Sequence, residues 1–262
     1  GRIVEARVSA GDVRGRRFWG DGRVLTVAHR GASRYAPENT LPAFQLALDE
    51  GVPAVECDIQ RTRDGRVVVI HDQTVDRTTD GRGAVAALTF EELRRLDAGR
   101  WFAPEFAGTR IPLLDEVLDL VRGRALLKVE VKNAPTFYEG IEQQAVEAIR
   151  HRGMDEHVLL MSFDHESVRA VRAQSPHSPT GIIYAARLVD APAAARAADA
   201  DALCVHWAYV TEGVVAGAHA AGLRVLVWTV DDEDTVRRCL ALGVDGVTSN
   251  DSRLLLRVLG PQ

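Results

Sequence analysis

A few short segments set charged or titratable residues at the ends of apolar runs: His29-Arg30-Gly31, Glu56-Cys57-Asp58, His71-Asp72, Glu130-Val131-Lys132, Ser162-Phe163, Trp228-Thr229 and Asn250-Asp251. Glu56 and Asp58 stand two apart in a run of strand character. Period two puts both on one face and Val55, Cys57 and Ile59 on the other. Two carboxylates on an interior face repel each other and lose hydration, and they stay ionised only with a cation beside them. That cation is either a Lys or Arg side chain or a metal. Lys128, Glu130 and Lys132 share one face of the next such run, with Leu127, Val129 and Val131 opposite. A third acid on a neighbouring strand favours a metal. Three carboxylates suit Mg²⁺ or Ca²⁺, and no Cys/His spacing competes for zinc.

His29 and His71 close two adjacent strands. Standing alone, a buried histidine is as readily a hydrogen-bonded structural residue. Beside a carboxylate cluster, two of them suit general acid–base work, because imidazole titrates near neutrality. The remaining histidines fall on helices, loops or mid-pattern positions and read as structural or solvated. Arg30 offers a fork and Lys132 a point charge at the same rim. They either neutralise the acids or, with a metal, hold a phosphoryl group as charge develops on it. Asn39, with Pro37 just before it, reads equally as a helix N-cap and as a ligand residue. Phe163 and Trp228 read equally as barrel plugs and as an apolar wall for the rest of a substrate.

These residues need a scaffold that gathers strand ends. Strands are expected over Val24–Ala28, Ala54–Ile59, Arg66–Ile70, Ala125–Val131, His157–Met161, Thr180–Tyr184, Ala202–Val205, Arg224–Thr229 and Asp245–Thr248. Helices are expected over Thr40–Glu50, Phe90–Leu96, Leu114–Arg122, Thr136–Arg152, His165–Gln174, Ala191–Ala198, Thr211–Ala221, Asp234–Leu242 and Ser252–Leu259. Gly51, Gly153, Gly222 and Gly243 stand where helix ends call for a left-handed residue. Asp64-Gly65 signals a hairpin turn, so Arg66–Ile70 reads as a return strand rather than a crossover. The alternation predicts an α/β fold, a (β/α)8 TIM barrel over residues 23–262, with a small insertion at 73–110 after the second strand and an N-terminal arm at 1–22. An open doubly wound sheet is the rival, but no GxGxxG follows the first strand.

Composition agrees with that scaffold. The 262 residues carry a formal net charge of −5, with 46% apolar and 26% charged residues. Such a balance excludes a collagenous chain, a coiled coil and a disordered tail. Mild acidity argues against nucleic acid, whose binding needs a concentrated basic surface. The longest stretch free of Asp, Glu, Lys and Arg, Ala173 to Ala186, is too short for a membrane span and contains Pro and Gly. Cys57, Cys204 and Cys239 are widely spaced and odd in number, which predicts buried thiols rather than disulfides. They favour a reducing, cytoplasmic setting, with an export segment ahead of Gly1 left open.

The motifs together resemble the glycerophosphodiester phosphodiesterases. They run His29-Arg30-Gly31-Ala32, Ala36-Pro37-Glu38-Asn39-Thr40, Glu56-x-Asp58, Thr62-x-Asp64-Gly65, His71-Asp72, Arg77-Thr78-Thr79-x-Gly81-x-Gly83, Ile111-Pro112-x-Leu114-x-Glu116, Glu130-x-Lys132, Ser162-Phe163 and Val227-Trp228-Thr229-Val230. The resemblance covers the chain from about Val24 onward. It implies a TIM barrel that hydrolyses small-molecule glycerophosphodiesters to sn-glycerol 3-phosphate and an alcohol. It implies metal ligation by Glu56, Asp58 and Glu130, acid–base roles for His29 and His71, phosphate contacts from Arg30 and Lys132, and an apolar pocket side from Phe163 and Trp228. A lysophospholipase D-type phosphodiesterase and a non-catalytic glycerophosphate-binding barrel are the alternatives. Two rim segments depart from the family pattern. Thr248-Ser249-Asn250-Asp251 stands where many members read Thr-Asp-x-Pro, and Asp231 follows Val230 where many have Asn.

Overall fold

The computed structural model describes residues 16–20 and 22–260. Most of the expected N-terminal arm therefore lies outside the described residues. Its described end is a single helical turn, α1 (Arg16–Trp19). Phe18 from that turn is buried with Leu159, Met161, Ile183 and Leu226 inside the barrel, at the end opposite the histidines.

The next elements are β1 (Leu25–Ala28), α2 (Leu41–Asp49), β2 (Ala54–Arg61), β3 (Val67–Val69), α3 (Phe90–Arg95), α4 (Leu114–Val121) and β4 (Leu126–Val131). From there strand and helix alternate: α5 (Ile141–Arg150), β5 (Val158–Ser162), α6 (His165–Gln174), β6 (Thr180–Tyr184), α7 (Ala191–Ala197), β7 (Ala202–His206), α8 (Glu212–Ala220), β8 (Arg224–Trp228), α9 (Glu233–Ala241), β9 (Gly246–Ser249) and α10 (Ser252–Leu259). Strands β1, β2 and β4 to β9 are parallel, and β1 pairs with both β2 and β9, so the sheet closes. This is the expected TIM barrel. Strand β3 stays outside the closure and pairs antiparallel with the far end of β2, as the Asp64-Gly65 turn predicts.

The alternation along β2 and β4 orients the site. Val55, Cys57, Ile59, Leu127, Val129 and Val131 pack outward against Phe44, Leu114, Leu118, Ile141 and Ile149 of the helices. Glu56, Asp58, Lys128 and Glu130 therefore turn inward. The register sets Glu56 beside Lys128 and Asp58 beside Glu130. Val and Ile dominate the outward positions because branched side chains fill a pleated, buried surface well. All three cysteines are buried and free. The glycines expected after helices have positive φ: Gly51, Gly153, Gly222 and Gly243.

Between β3 and α4 the chain makes an excursion around α3, with a core of its own in Val75, Val85, Leu93 and Ala98 beneath Val68 and Ile70. Two expectations need correction. The helix expected over Thr136–Arg152 begins at Ile141, because Gly140 sits at φ 81, a left-handed conformation that α-helix cannot contain. The residues ahead of it form a loop held by Asn133, whose side-chain oxygen accepts from the Tyr138 backbone N–H at 2.6 Å. Asn39 is not the N-cap of α2; Thr40 is, and the Asn39 side chain is engaged elsewhere.

Candidate active site

The two histidines and the three acids meet at the mouth of the barrel, where the strands end. One oxygen from each of Glu56, Asp58 and Glu130 lies within 4.8 Å of the others. Above them a cavity of about 200 Å³ is lined by His29, Arg30, His71, Lys132, Phe163 and Trp228, with Lys128 and Thr248 also on its wall. His29, Arg30, Glu56, His71, Glu130, Lys132, Phe163 and Trp228 thus face one space, while Asp58 is fully buried beside Glu56 and Glu130 and Asn39 lies off the cavity wall.

The turn after β1 is shaped by close approach. Arg30 adopts φ 58 and Gly31 φ 79. A Cβ on Gly31 would stand 2.6 Å from the Ala43 backbone carbon, so only glycine fits there. The turn aims Arg30 at the acids twice. Its backbone N–H donates to Glu56 at 2.9 Å, and its guanidinium donates to Glu38 at 2.8 Å and lies 3.3 Å from Asp58. Asn39, also left-handed at φ 56, donates from its amide to Asp58 at 2.8 Å and accepts from the Asp58 backbone N–H at 3.2 Å. Lys132 completes the ring, 2.7 Å from Glu130 and 3.5 Å from Asp58.

Electrostatics separate the three acids. Burial would raise the pKa of Asp58, but Lys132 and Arg30 outweigh it and hold the carboxyl well below the usual range. Burial, reinforced by the Asp58 charge, pushes Glu56 well above its ordinary value and Glu130 up to about 7. The neighbouring cations thus compensate the burial of Glu56 and Glu130 only in part. The Asp58 Oδ1 atom is buried and has no hydrogen-bond partner among the described residues. A buried carboxylate oxygen without a donor, beside two acids destabilised by burial, fits a hard divalent cation held by oxygen ligands.

The histidines are held differently. His29 Nδ1 lies 2.7 Å from Asn250 Oδ1, and the Asn250 amide donates in turn to Asp231 at 2.6 Å. This orientation leaves His29 Nε2 facing the acids, 3.8 Å from Glu56. Burial, then the Arg30 charge, pushes His29 down to about 4. His71 Nδ1 pairs with Asp72 at 2.7 Å. Arg77 from the excursion clamps Asp72 and Glu38 together, with contacts of 2.7 and 2.8 Å. The backbone behind His71 is carried by Gln60 on β2, whose amide donates to the carbonyls of Ile70, His71 and Asp72. Burial lowers the His71 pKa, against the opposing pull of Asp58.

The apolar side of the mouth is Trp228 and Phe163, whose rings meet edge to face at 5.6 Å. Phe163 is 47% exposed, so it is a wall open to solvent and not a plug. His206 packs edge-on against Trp228 at 5.1 Å, an addition that its position within a strand pattern did not suggest.

Comparison with known proteins accords with this geometry. The sequence profile described as "Glycerophosphoryl diester phosphodiesterase family" matches residues 29–254. A glycerophosphodiester phosphodiesterase of Caldanaerobacter subterraneus subsp. tengcongensis is 39% identical over 238 residues, covering 90% of this chain and 98% of the relative. Among solved structures, a glycerophosphodiester phosphodiesterase from Agrobacterium tumefaciens has a TM-score of 0.79 and 32% identity, covering 90% of this chain and 100% of that one. A phosphodiesterase from Oleispira antarctica, solved in complex with the product sn-glycerol-3-phosphate, has a TM-score of 0.81 and 29% identity, covering 90% of this chain and 96% of that one. No helix among the described residues is long and apolar enough to cross a membrane. The chain belongs to the glycerophosphoryl diester phosphodiesterase family and is an enzyme of that class.

Proposed function

We propose that this chain hydrolyses small glycerophosphodiesters to sn-glycerol 3-phosphate and an alcohol, with a divalent cation, Mg²⁺ or Ca²⁺, held by Glu56, Asp58 and Glu130. The observation that carries the reading is the meeting of three carboxylate oxygens within 4.8 Å beneath two histidines. When bound, the cation supplies positive charge to the phosphoryl oxygens as the transition state forms. Arg30 and Lys132 flank the same space and bind the remaining phosphate oxygens, Arg30 as a fork and Lys132 as a point charge. His29 and His71 approach from separate sides of the mouth and move the two protons that hydrolysis requires, one from the attacking oxygen and one to the leaving alkoxide. Asn250 and Asp72 each fix which ring nitrogen is turned to the cavity. Phe163 and Trp228 offer an open apolar face on which the leaving alcohol rests.

This division of labour predicts the pattern of specificity. Fixed charges and dipoles discriminate strongly, because a missing partner leaves a buried polar group unpaired. An open apolar wall discriminates weakly, by roughly 1–3 kcal/mol per methylene-sized change. Glycerophosphocholine and glycerophosphoethanolamine should therefore be turned over with kcat/KM within about two orders of magnitude of each other. Bis(p-nitrophenyl) phosphate, which lacks the glycerol hydroxyls, should be a much poorer substrate. If it is the best of the three, glycerol recognition is not built into this mouth.

A further inference from the structure

Lys128 has no part in the scheme above, yet it is the most deeply buried base at the site, only 1% exposed. Its side chain points inward from β4, level with Glu56 on β2, and it lines the same cavity as the histidines. Arg30 and Lys132 are each tied to carboxylates at 2.8 and 2.7 Å. The Lys128 ammonium instead donates to a neutral oxygen, Thr248 Oγ1, at 3.0 Å. One of its three N–H groups serves that contact, and a burial this complete is unusual for a lysine that makes no direct ion pair among the described residues.

The buried acids Glu56, Asp58 and Glu130 are matched in number by the buried Lys128 and the half-buried Arg30 and Lys132, three against three. Glu38, which also takes the Arg30 guanidinium at 2.8 Å, forms a further layer with Asp72 and Arg77 whose formal charge is −1 with or without Lys128. With Lys128 present, the inner cluster is neutral before a cation enters and carries two positive charges afterwards. That matches a phosphate monoester dianion, or a phosphodiester gaining charge as it is attacked. Without Lys128 the same cluster would start one charge more negative.

We infer that Lys128 is a fixed counter-charge that sets the balance of this site: it weakens cation binding and strengthens the hold on the phosphate. The inference rests on the cation-dependent reading above and deepens it. Lys128 reaches the substrate through the field of the cluster, as a positioning residue for charge. Its effects on the two ligands have opposite sign, which loss of packing cannot imitate.

The test is calorimetric titration of the purified full chain and of Lys128→Met, which keeps the unbranched stem of the side chain and removes its charged end. Mg²⁺ and Ca²⁺ are titrated first, then sn-glycerol 3-phosphate at saturating cation. At ~10 Å from a divalent ion a unit charge is worth about fourfold at the dielectric of water and over a hundredfold at an effective value near 20, so its removal should tighten the cation Kd by about tenfold or more and weaken the Kd of glycerol phosphate by about tenfold or more. Lys128→Gln gives the same reading if the Met variant fails to fold. Thr248→Val keeps the charge and loses the hydrogen bond, and should leave both constants within about threefold of wild type. If Lys128→Met weakens both ligands, or moves neither, or if Thr248→Val reproduces it, the inference is overturned. A wild-type chain that binds no cation overturns the cation-dependent reading and this inference together. A wild-type chain that binds cation and turns over substrate, beside an unresponsive Lys128→Met, sinks the inference alone.

Discussion

Asp58→Asn is expected to lower kcat/KM for glycerophosphocholine by about three orders of magnitude, the worth of ~4 kcal/mol of transition-state stabilisation from a cation. Asp58 is the acid that Lys132 and Arg30 keep ionised, and its Oδ1 atom has no hydrogen-bond donor among the described residues. The amide keeps the shape and the Asn39 neighbour, but it removes the charge on which any divalent ligand set depends. Exhaustive chelation of the wild type should have a comparable effect, and Mg²⁺ or Ca²⁺ should restore activity where zinc does not. Circular dichroism of the variant should match the wild type, because the barrel core on the outer face of β2 is untouched. Full turnover after chelation would show that the three acids serve only Arg30 and Lys132.

His29→Ala and His71→Ala are each expected to lower kcat by roughly 10²–10⁴-fold, the usual contribution of a positioned proton donor or acceptor. Cation affinity, measured by calorimetry, should move by no more than a few-fold, since neither imidazole belongs to the carboxylate trio. Within the same series, Asn250→Ala and Asp231→Ala should cost about tenfold each, in kcat more than in KM. They free the His29 ring without removing it, and misorientation of a catalytic group is felt in the transition state. Near-wild-type turnover in either alanine variant of the histidines would make that residue structural and refute the two-proton scheme.

The acids were legible in the sequence because strand alternation is a strong constraint. Over residues 55–59 and 127–131 one face is unbroken Val, Leu, Ile or Cys, so the charges on the other face have to share the interior. The barrel followed from the repeated strand–helix rhythm, and the β2–β3 hairpin from one turn dipeptide. What stayed hidden depended on contacts between distant segments. Asn39 looked like a cap because capping and carboxylate binding use the same side-chain chemistry; only the left-handed turn at Arg30 and Asn39 brings its amide to Asp58. The Asp231–Asn250 pair behind His29 joins the loop after β8 to the end of β9, more than two hundred residues from the histidine it orients. Lys128 was correctly placed on the inner face, but nothing in its spacing gave it a role apart from Lys132.

His29 and His71 do not share a mechanical support. His29 continues a strand that is stitched on both sides into the closed barrel, and its own backbone N–H bonds to Ser249. His71 sits past the end of a three-residue return strand outside that closure, propped by the amide of Gln60 and by the Ile70 backbone N–H donating to the Asp58 carbonyl. Stability is unevenly distributed in any fold, and short elements outside the main sheet open at lower cost than the sheet itself. The distance between the two histidines thus depends on one buried glutamine, one arginine clamp and the Ile70 backbone N–H that donates to Asp58, and less on the closed sheet that makes the molecule robust. Such an enzyme can fall silent while its barrel is still intact, and ageing or heat would reach the reaction before it reached the fold.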